Sequence, residues 1–137
     1  LTGRLFALAL LVAACDGEAN ARHRAEAESV IFAVRQLRDA DNADKGSRLA
    51  TLRESACSAE DVCALKRECI AAYALYVKGL DSVQRVKRSL AADADLPAAK
   101  ESASLLDSAQ KDVEKGRELA TECAKREATV AVAYKVR

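Results

Sequence analysis

The chain predicts an all-α fold, an elongated antiparallel three-helix bundle running up-down-up. Three observations lead there. Alanine and charged residues dominate, with 30 alanines among 137 residues and 31% charged side chains of mixed sign, which is the composition of long helices. Apolar residues recur in steps of three and four along extended stretches, the period of a helix. One proline and five scattered glycines leave few interruptions.

At the N-terminus, Leu5 to Ala14 form an apolar run behind Arg4. As a helix this run would be about 15 Å long, half the hydrocarbon thickness of a bilayer. It is too short to span and suits the apolar region of a cleavable export signal. The run ends Val12-Ala13-Ala14-Cys15 and turns polar at once in Asp16, Gly17 and Glu18. Small residues followed by cysteine at this place resemble the lipobox of bacterial lipoproteins. The resemblance implies cleavage after Ala14, a diacylglycerol on the Cys15 thiol and acylation of the new amine. Two or three acyl chains suffice for stable anchoring. Asp16 resembles the residue that retains enterobacterial lipoproteins in the inner membrane. Residues 1–14 are thus expected as signal peptide, 15–21 as a lipid-anchored tether, and the rest as a body facing the periplasm.

The helical body is expected over 22–130. Ala27, Val30, Ile31, Val34 and Leu37 share one face, and the pattern resumes at Leu49 and Leu52. The polar run Asp39-Ala-Asp-Asn-Ala-Asp-Lys-Gly46 between them predicts a kink or break near 42–46 within one long first helix. A second helix is expected from Ser58, with Ser58 as N-cap and Glu60 and Asp61 favoured by the dipole of its first turn. Its stripe is Val62, Leu65, Cys69, Ala72/Tyr73, Tyr76, Leu80, Val83, Val86 and Leu90. Pro97 suits the first turn of a third helix capped by Asp95 or Leu96, with a stripe of Leu105, Ala109, Val113, Gly116, Leu119/Ala120, Cys123 and Val130. Glycine costs about 1 kcal/mol in a helix interior relative to alanine. Close helix approach can offset that cost at Gly116, and less so at Gly79. The end alternates Val130, Val132, Tyr134, Val136, a strand-like period. Without a partner strand, 131–137 is expected as a flexible tail.

Export makes the remaining cysteines, Cys57, Cys63, Cys69 and Cys123, candidates for two disulfides. If the turn between the last two helices centres near residue 96, Cys69 faces Cys123, and both lie on their apolar stripes. Cys69–Cys123 is therefore expected, linking the second and third helices, with Cys57–Cys63 by elimination. Cys63–Cys123 with Cys57–Cys69 is the competing pattern. Spacings of six residues do not match the ligand pairs of structural zinc, and no Cys-x-x-Cys is present for redox work.

No catalytic, cofactor or metal site is expected. His23, between Arg22 and Arg24, has no partner in any nucleophile motif. The cluster Asp39, Asp41, Asn42, Asp44 lacks the alternation of a calcium loop, because Ala43 interrupts it. Loss of Arg4 with the signal leaves 21 basic against 21 acidic residues, so no basic field exists for nucleic acid. These features favour a membrane-anchored, non-enzymatic structural or protein-interaction module with an envelope protein as partner. The alternative is a lipoprotein that binds a small apolar ligand or lipid between its helices, which requires a cavity.

Overall fold

The computed structural model describes residues 5–92 and 96–137, and the side chains of 17–92 and 99–137. Four helices and no strand occur among the described residues: α1 (Leu5–Asp39), α2 (Lys45–Glu54), α3 (Glu60–Ala91) and α4 (Leu96–Tyr134). The all-α expectation holds, whereas the three-helix count does not. The polar run separates α1 from α2 completely. Asp44 and Lys45 donate their backbone N–H groups to the Asp41 carbonyl, at 3.0 and 3.1 Å, so the chain turns instead of kinking. Gly46 lies inside α2.

The direction of each helix follows from its contacts. The Lys45 ammonium donates to the carbonyls of Leu37, Arg38 and Ala40 at 3.3, 3.2 and 2.9 Å. It thus satisfies acceptors that the end of α1 leaves open. Ser58, beyond α2, reaches back to Glu26 with its backbone N–H at 2.6 Å. The chain therefore retraces α1 between residues 45 and 58, burying Leu49 and Leu52. As a result α3 runs parallel to α1, from Ser58 beside Glu26 to Tyr73, whose ring centre lies 6.0 Å from Lys45 Nζ. The expected up-down-up order becomes up, short down, long up, long down.

Ser58 is not the N-cap of α3. The helix begins one residue after Ala59, with no side-chain cap bond, because the Ser58 hydroxyl is committed to both Glu26 carboxylate oxygens at 3.0 and 2.8 Å. Those bonds hold the Glu26 carboxyl below its ordinary pKa. The expected cap at Asp95 or Leu96 lies outside the described residues and side chains. Residues 17–21, expected in the tether, continue α1 as helix. The tail expectation is also corrected. In a helix, Val130 and Tyr134 fall one turn apart on the same face. Val130 is buried, and the Tyr134 hydroxyl donates to Asp61 Oδ1 at 2.9 Å. The helix then closes with Val136 N–H on the Ala131 carbonyl (2.9 Å) and Lys135 N–H on the Val132 carbonyl (3.3 Å), with Lys135 at φ 55°. This is the Schellman arrangement, and it folds Val136 back onto the core.

Two regions result. A head gathers Val30, Ile31, Val34 and Leu37 of α1, Leu49 and Leu52 of α2, Val62 and Leu65 of α3, and Val130 of α4 into one buried core. Beyond Tyr73, α3 continues to Ala91 with α4 as its companion, an arm about 27 Å long at 1.5 Å per residue. Both glycines on the α3–α4 seam are sites of close approach. A Cβ on Gly116 would lie 3.0 Å from the Ala72 carbonyl oxygen, and one on Gly79 would lie 2.7 Å from Val113 Cγ2.

Candidate functional site

Cys57–Cys63 and Cys69–Cys123 are both disulfides, with Cα separations of 5.3 and 5.0 Å, within the ordinary range. Their settings differ. Cys69 and Cys123 are buried on the head's α3–α4 seam, flanked by the Arg126–Glu68 ion pair at 2.6 Å. Cys57 and Cys63 are half-buried and clip the segment that leaves α2 onto the first turn of α3. There Lys66 donates to the Ser55 carbonyl at 2.6 Å. Cys15 and Asp16, the expected lipidation and sorting residues, lie in α1, and their side chains fall outside the described ones.

The sequence reading missed the head's most connected polar group. Glu127 is buried and accepts from Arg35 Nε and from an Arg38 terminal nitrogen, both at 2.8 Å. Arg35 also donates to the Arg137 carbonyl at 2.8 Å. The carboxylate thereby ties α4 and the chain's last residue to α1. One signal was available: Glu127 stands four residues after Cys123 and three before Val130, on the buried stripe. A charged residue at such a position calls for a charged partner. The neighbouring Tyr73 hydroxyl has a raised pKa, chiefly through burial. The contacts of the Glu127 carboxylate with Arg35 and Arg38 are those of a strut between α4 and α1.

Among the described residues, no group of three or more His, Cys, Asp or Glu side chains could hold a metal ion. His23 is partly exposed on α1. Asp39, Asp41, Asn42 and Asp44 are all exposed at the α1–α2 turn. Tyr73 and Tyr76 pack within the bundle, with ring centroids 5.9 Å apart. The concavities among the described residues are open grooves. One of about 390 Å³ is lined by Val83, Leu106, Ala109, Gln110, Val113, Glu114 and Arg117. Another of about 600 Å³ lies between the turn at Asn42 and Ala43 and the α3 face formed by Leu80, Asp81, Val83, Gln84 and Lys87. Val83 borders both grooves, whose walls mix apolar with polar and charged side chains. Large apolar side chains are exposed on the arm at Leu90 (57%) and Leu106 (43%), and on the head at Phe32 and Val132. No helix among the described residues is long and apolar enough to cross a membrane. No protein family, curated protein or solved structure matches the chain.

Proposed function

We propose that the chain is an envelope lipoprotein, anchored through Cys15, that acts as a non-enzymatic interaction module. The observation that carries this reading is the arm. Two helices project from a cross-linked head with Leu90 and Leu106 exposed, which is costly for a surface that contacts only water. Two disulfides fit an exported protein. The direction of α3, parallel to α1, adds a geometric consequence. Glu26 lies about 16 Å from Cys15 along α1 at 1.5 Å per residue. Adding the head and the arm puts the arm tip about 65 Å from the anchored residue. The helical stem would make that stand-off stiff, unlike a flexible tether.

Lipid labelling tests the anchor. Cells fed a labelled fatty acid should incorporate it into the wild-type protein and not into Cys15→Ala, whose signal should remain uncleaved by the lipoprotein peptidase. Label retained by Cys15→Ala, or absent from the wild type, would discard the reading. Crosslinking in the native envelope tests the interaction role. Partners should attach at Leu90 and Leu106 of the arm and not at α2.

A further inference from the structure

The two disulfides of the head differ in access. Cys69 and Cys123 are 0% and 2% exposed, sealed in the seam between α3 and α4. A thiolate cleaves a disulfide only by reaching one of its sulfurs, so attack there requires the two helices to part. Cys57 and Cys63 are half-buried, one on the segment between α2 and α3 and the other on the first turn of α3. We propose that Cys57–Cys63 is a redox-sensitive latch, opened by a dithiol reductant while Cys69–Cys123 stays closed, and that it sets how firmly α1 is joined to the head. The latch does not depend on the Cys15 anchor.

The exchange balances as follows. One thiolate of the reductant attacks Cys57 Sγ and forms a mixed disulfide, and Cys63 leaves as a thiolate and takes a proton. The reductant's second thiol then attacks its own bridged sulfur and releases Cys57. Two electrons and two protons pass to the cysteine pair, and the reductant becomes a disulfide. Cys63 is placed to leave. Side chains on a helix lean toward its N-terminus, here a first turn with no side-chain cap from Ala59, and such a turn favours a thiolate. The carboxylates of that turn are engaged elsewhere. Glu60 is paired with Arg67, and Asp61 accepts from the Val62 N–H and the Tyr134 hydroxyl. The Lys66 ammonium, bonded to the Ser55 carbonyl, adds positive charge beside the same segment.

Ser58 lies inside the loop that Cys57–Cys63 closes. Its backbone N–H and hydroxyl grip the Glu26 carboxylate at 2.6 to 3.0 Å. No described side chain of α1 before Ala27 is buried, so this grip is where the stem meets the head. Ser58 is exposed, and hydrogen bonds in contact with water are individually weak. The clip across six residues fixes Ser58 in place, so the grip forms without the entropy cost of ordering the segment. With the pair reduced, residues 55–58 must order themselves for three exposed hydrogen bonds, and the grip lapses. The joint of α1 with the head then loosens before Ala27. The head itself stays closed through buried Leu49 and Leu52 and through Cys69–Cys123.

The test uses the full-length oxidised chain in mild detergent, with any free thiol blocked beforehand. Under dithiothreitol, thiols trapped by alkylation should appear at Cys57 and Cys63 at least about tenfold faster than at Cys69 and Cys123. Once the first pair is reduced, the Ser58 amide should exchange about tenfold faster, while the NMR shifts of core amides such as Leu65 stay in place. Linkage gives the sharper readout. If reduction loosens the grip, loss of the grip must ease reduction by the same factor. Glu26→Ala should therefore lower the ratio of reduced to oxidised dithiothreitol that opens Cys57–Cys63 by about fivefold and leave the ratio for Cys69–Cys123 unchanged. Equal reduction rates for the two disulfides, a Ser58 amide unmoved by reduction, or a midpoint indifferent to Glu26→Ala would each overturn the proposal. Core shifts that collapse when Cys57–Cys63 opens would also overturn it and make that bond a staple of the whole head.

Discussion

Head and arm are built from the same two helices, yet they are held together differently. In the head, the other three helices surround α3 residues such as Val62, Leu65 and Cys69, which have no exposed surface. In the arm, Val86 and Ala109 are buried only by the companion helix, and Leu80, Val83 and Val113 stay partly open on one side. Burying a Leu or Val fully is worth about 1.5–3 kcal/mol, so the head accumulates most of the stabilisation. A two-helix arm with one face wet has little to offset the backbone entropy of its ordered residues. The head is expected to be the cooperative unit and the arm the region that opens first.

The sharpest way to break this contrast is to remove the cross-link that the two regions share. Cys69–Cys123 lies in the head but closes a loop of 54 residues that contains the whole arm. Chain-entropy arithmetic gives about 4 kcal/mol for a loop of that length, against about 2 kcal/mol for the six-residue separation of Cys57–Cys63. Cys69→Ser with Cys123→Ser should therefore lower the denaturation free energy roughly twice as much as Cys57→Ser with Cys63→Ser, as measured by urea titration. Equal losses would mean that the arm contributes no constrained length to the unfolded state.

Core truncation comes next in size and compares the two regions directly. Leu65→Ala in the head should cost about 3 kcal/mol, within the range for buried leucines. Val86→Ala in the arm should cost about 1 kcal/mol and act only on local opening. Native-state hydrogen exchange separates these effects. Leu65→Ala should weaken the most protected head amides, and Val86→Ala should weaken arm amides alone. A Val86→Ala chain whose head amides lose protection equally would show one cooperative unit instead of two.

The seam glycines test how far close packing extends along the arm. A Cβ on Gly116 would meet backbone, the Ala72 carbonyl oxygen at 3.0 Å, together with the Tyr76 ring at 3.1 Å. Gly116→Ala gains about 1 kcal/mol in helix propensity, but the helices must separate, so a net loss of about 1–2 kcal/mol is expected. A Cβ on Gly79 would meet the Val113 side chain at 2.7 Å and the Ala109 carbonyl oxygen at 3.2 Å, but in the more open arm, where the two helices have no third layer to hold them and can splay. Gly79→Ala should therefore cost less than Gly116→Ala by thermal melting. A larger loss at Gly79 than at Gly116 would place the rigid part of the seam in the arm.

Much of this contrast was legible in the sequence, and the residues show why the rest was not. The α3 and α4 stripes read correctly in the head because helical period depends only on local spacing, whereas Leu90, placed on the same stripe, is exposed at the arm's end. The same spacing placed Cys69 against Cys123. The Asp39–Asp44 run marked where α1 ends, but polar residues say nothing about the direction the chain then takes. That direction rests on long-range contacts, Lys45 with the α1 carbonyls and Ser58 with Glu26, and no periodicity encodes them. Once α2 turns back, α3 must run parallel to α1, so one misread turn reversed the predicted order of the bundle. Glu127 was missed for a related reason. A charged residue on a stripe can face water or a buried partner, and its partners Arg35 and Arg38 lie 92 and 89 positions away. The chain end misled because Val130, Val132, Tyr134 and Val136 satisfy a strand period. A helix needs only Val130 and Tyr134 of that set on its buried side.

The smallest expected effect bears on that same chain end and separates head from arm most cleanly. Lys135 sits at φ 55°, in the left-handed region, where a side chain costs about 1–2 kcal/mol and glycine costs nothing. Lys135→Gly relieves that cost but gives the unfolded chain more freedom to lose, so the net gain should be about 0.5 kcal/mol. The hydrogen bonds from Lys135 and Val136 that close α4 remain available to glycine. The substitution lies in the head, at the end of α4 farthest from the arm. If the arm opens on its own, its amides should exchange at unchanged rates while the slowest head amides slow about twofold. If arm and head exchange slow together, the arm opens only when the whole molecule unfolds, and the exposed face of α3 and α4 is as firmly held as the core beneath α1.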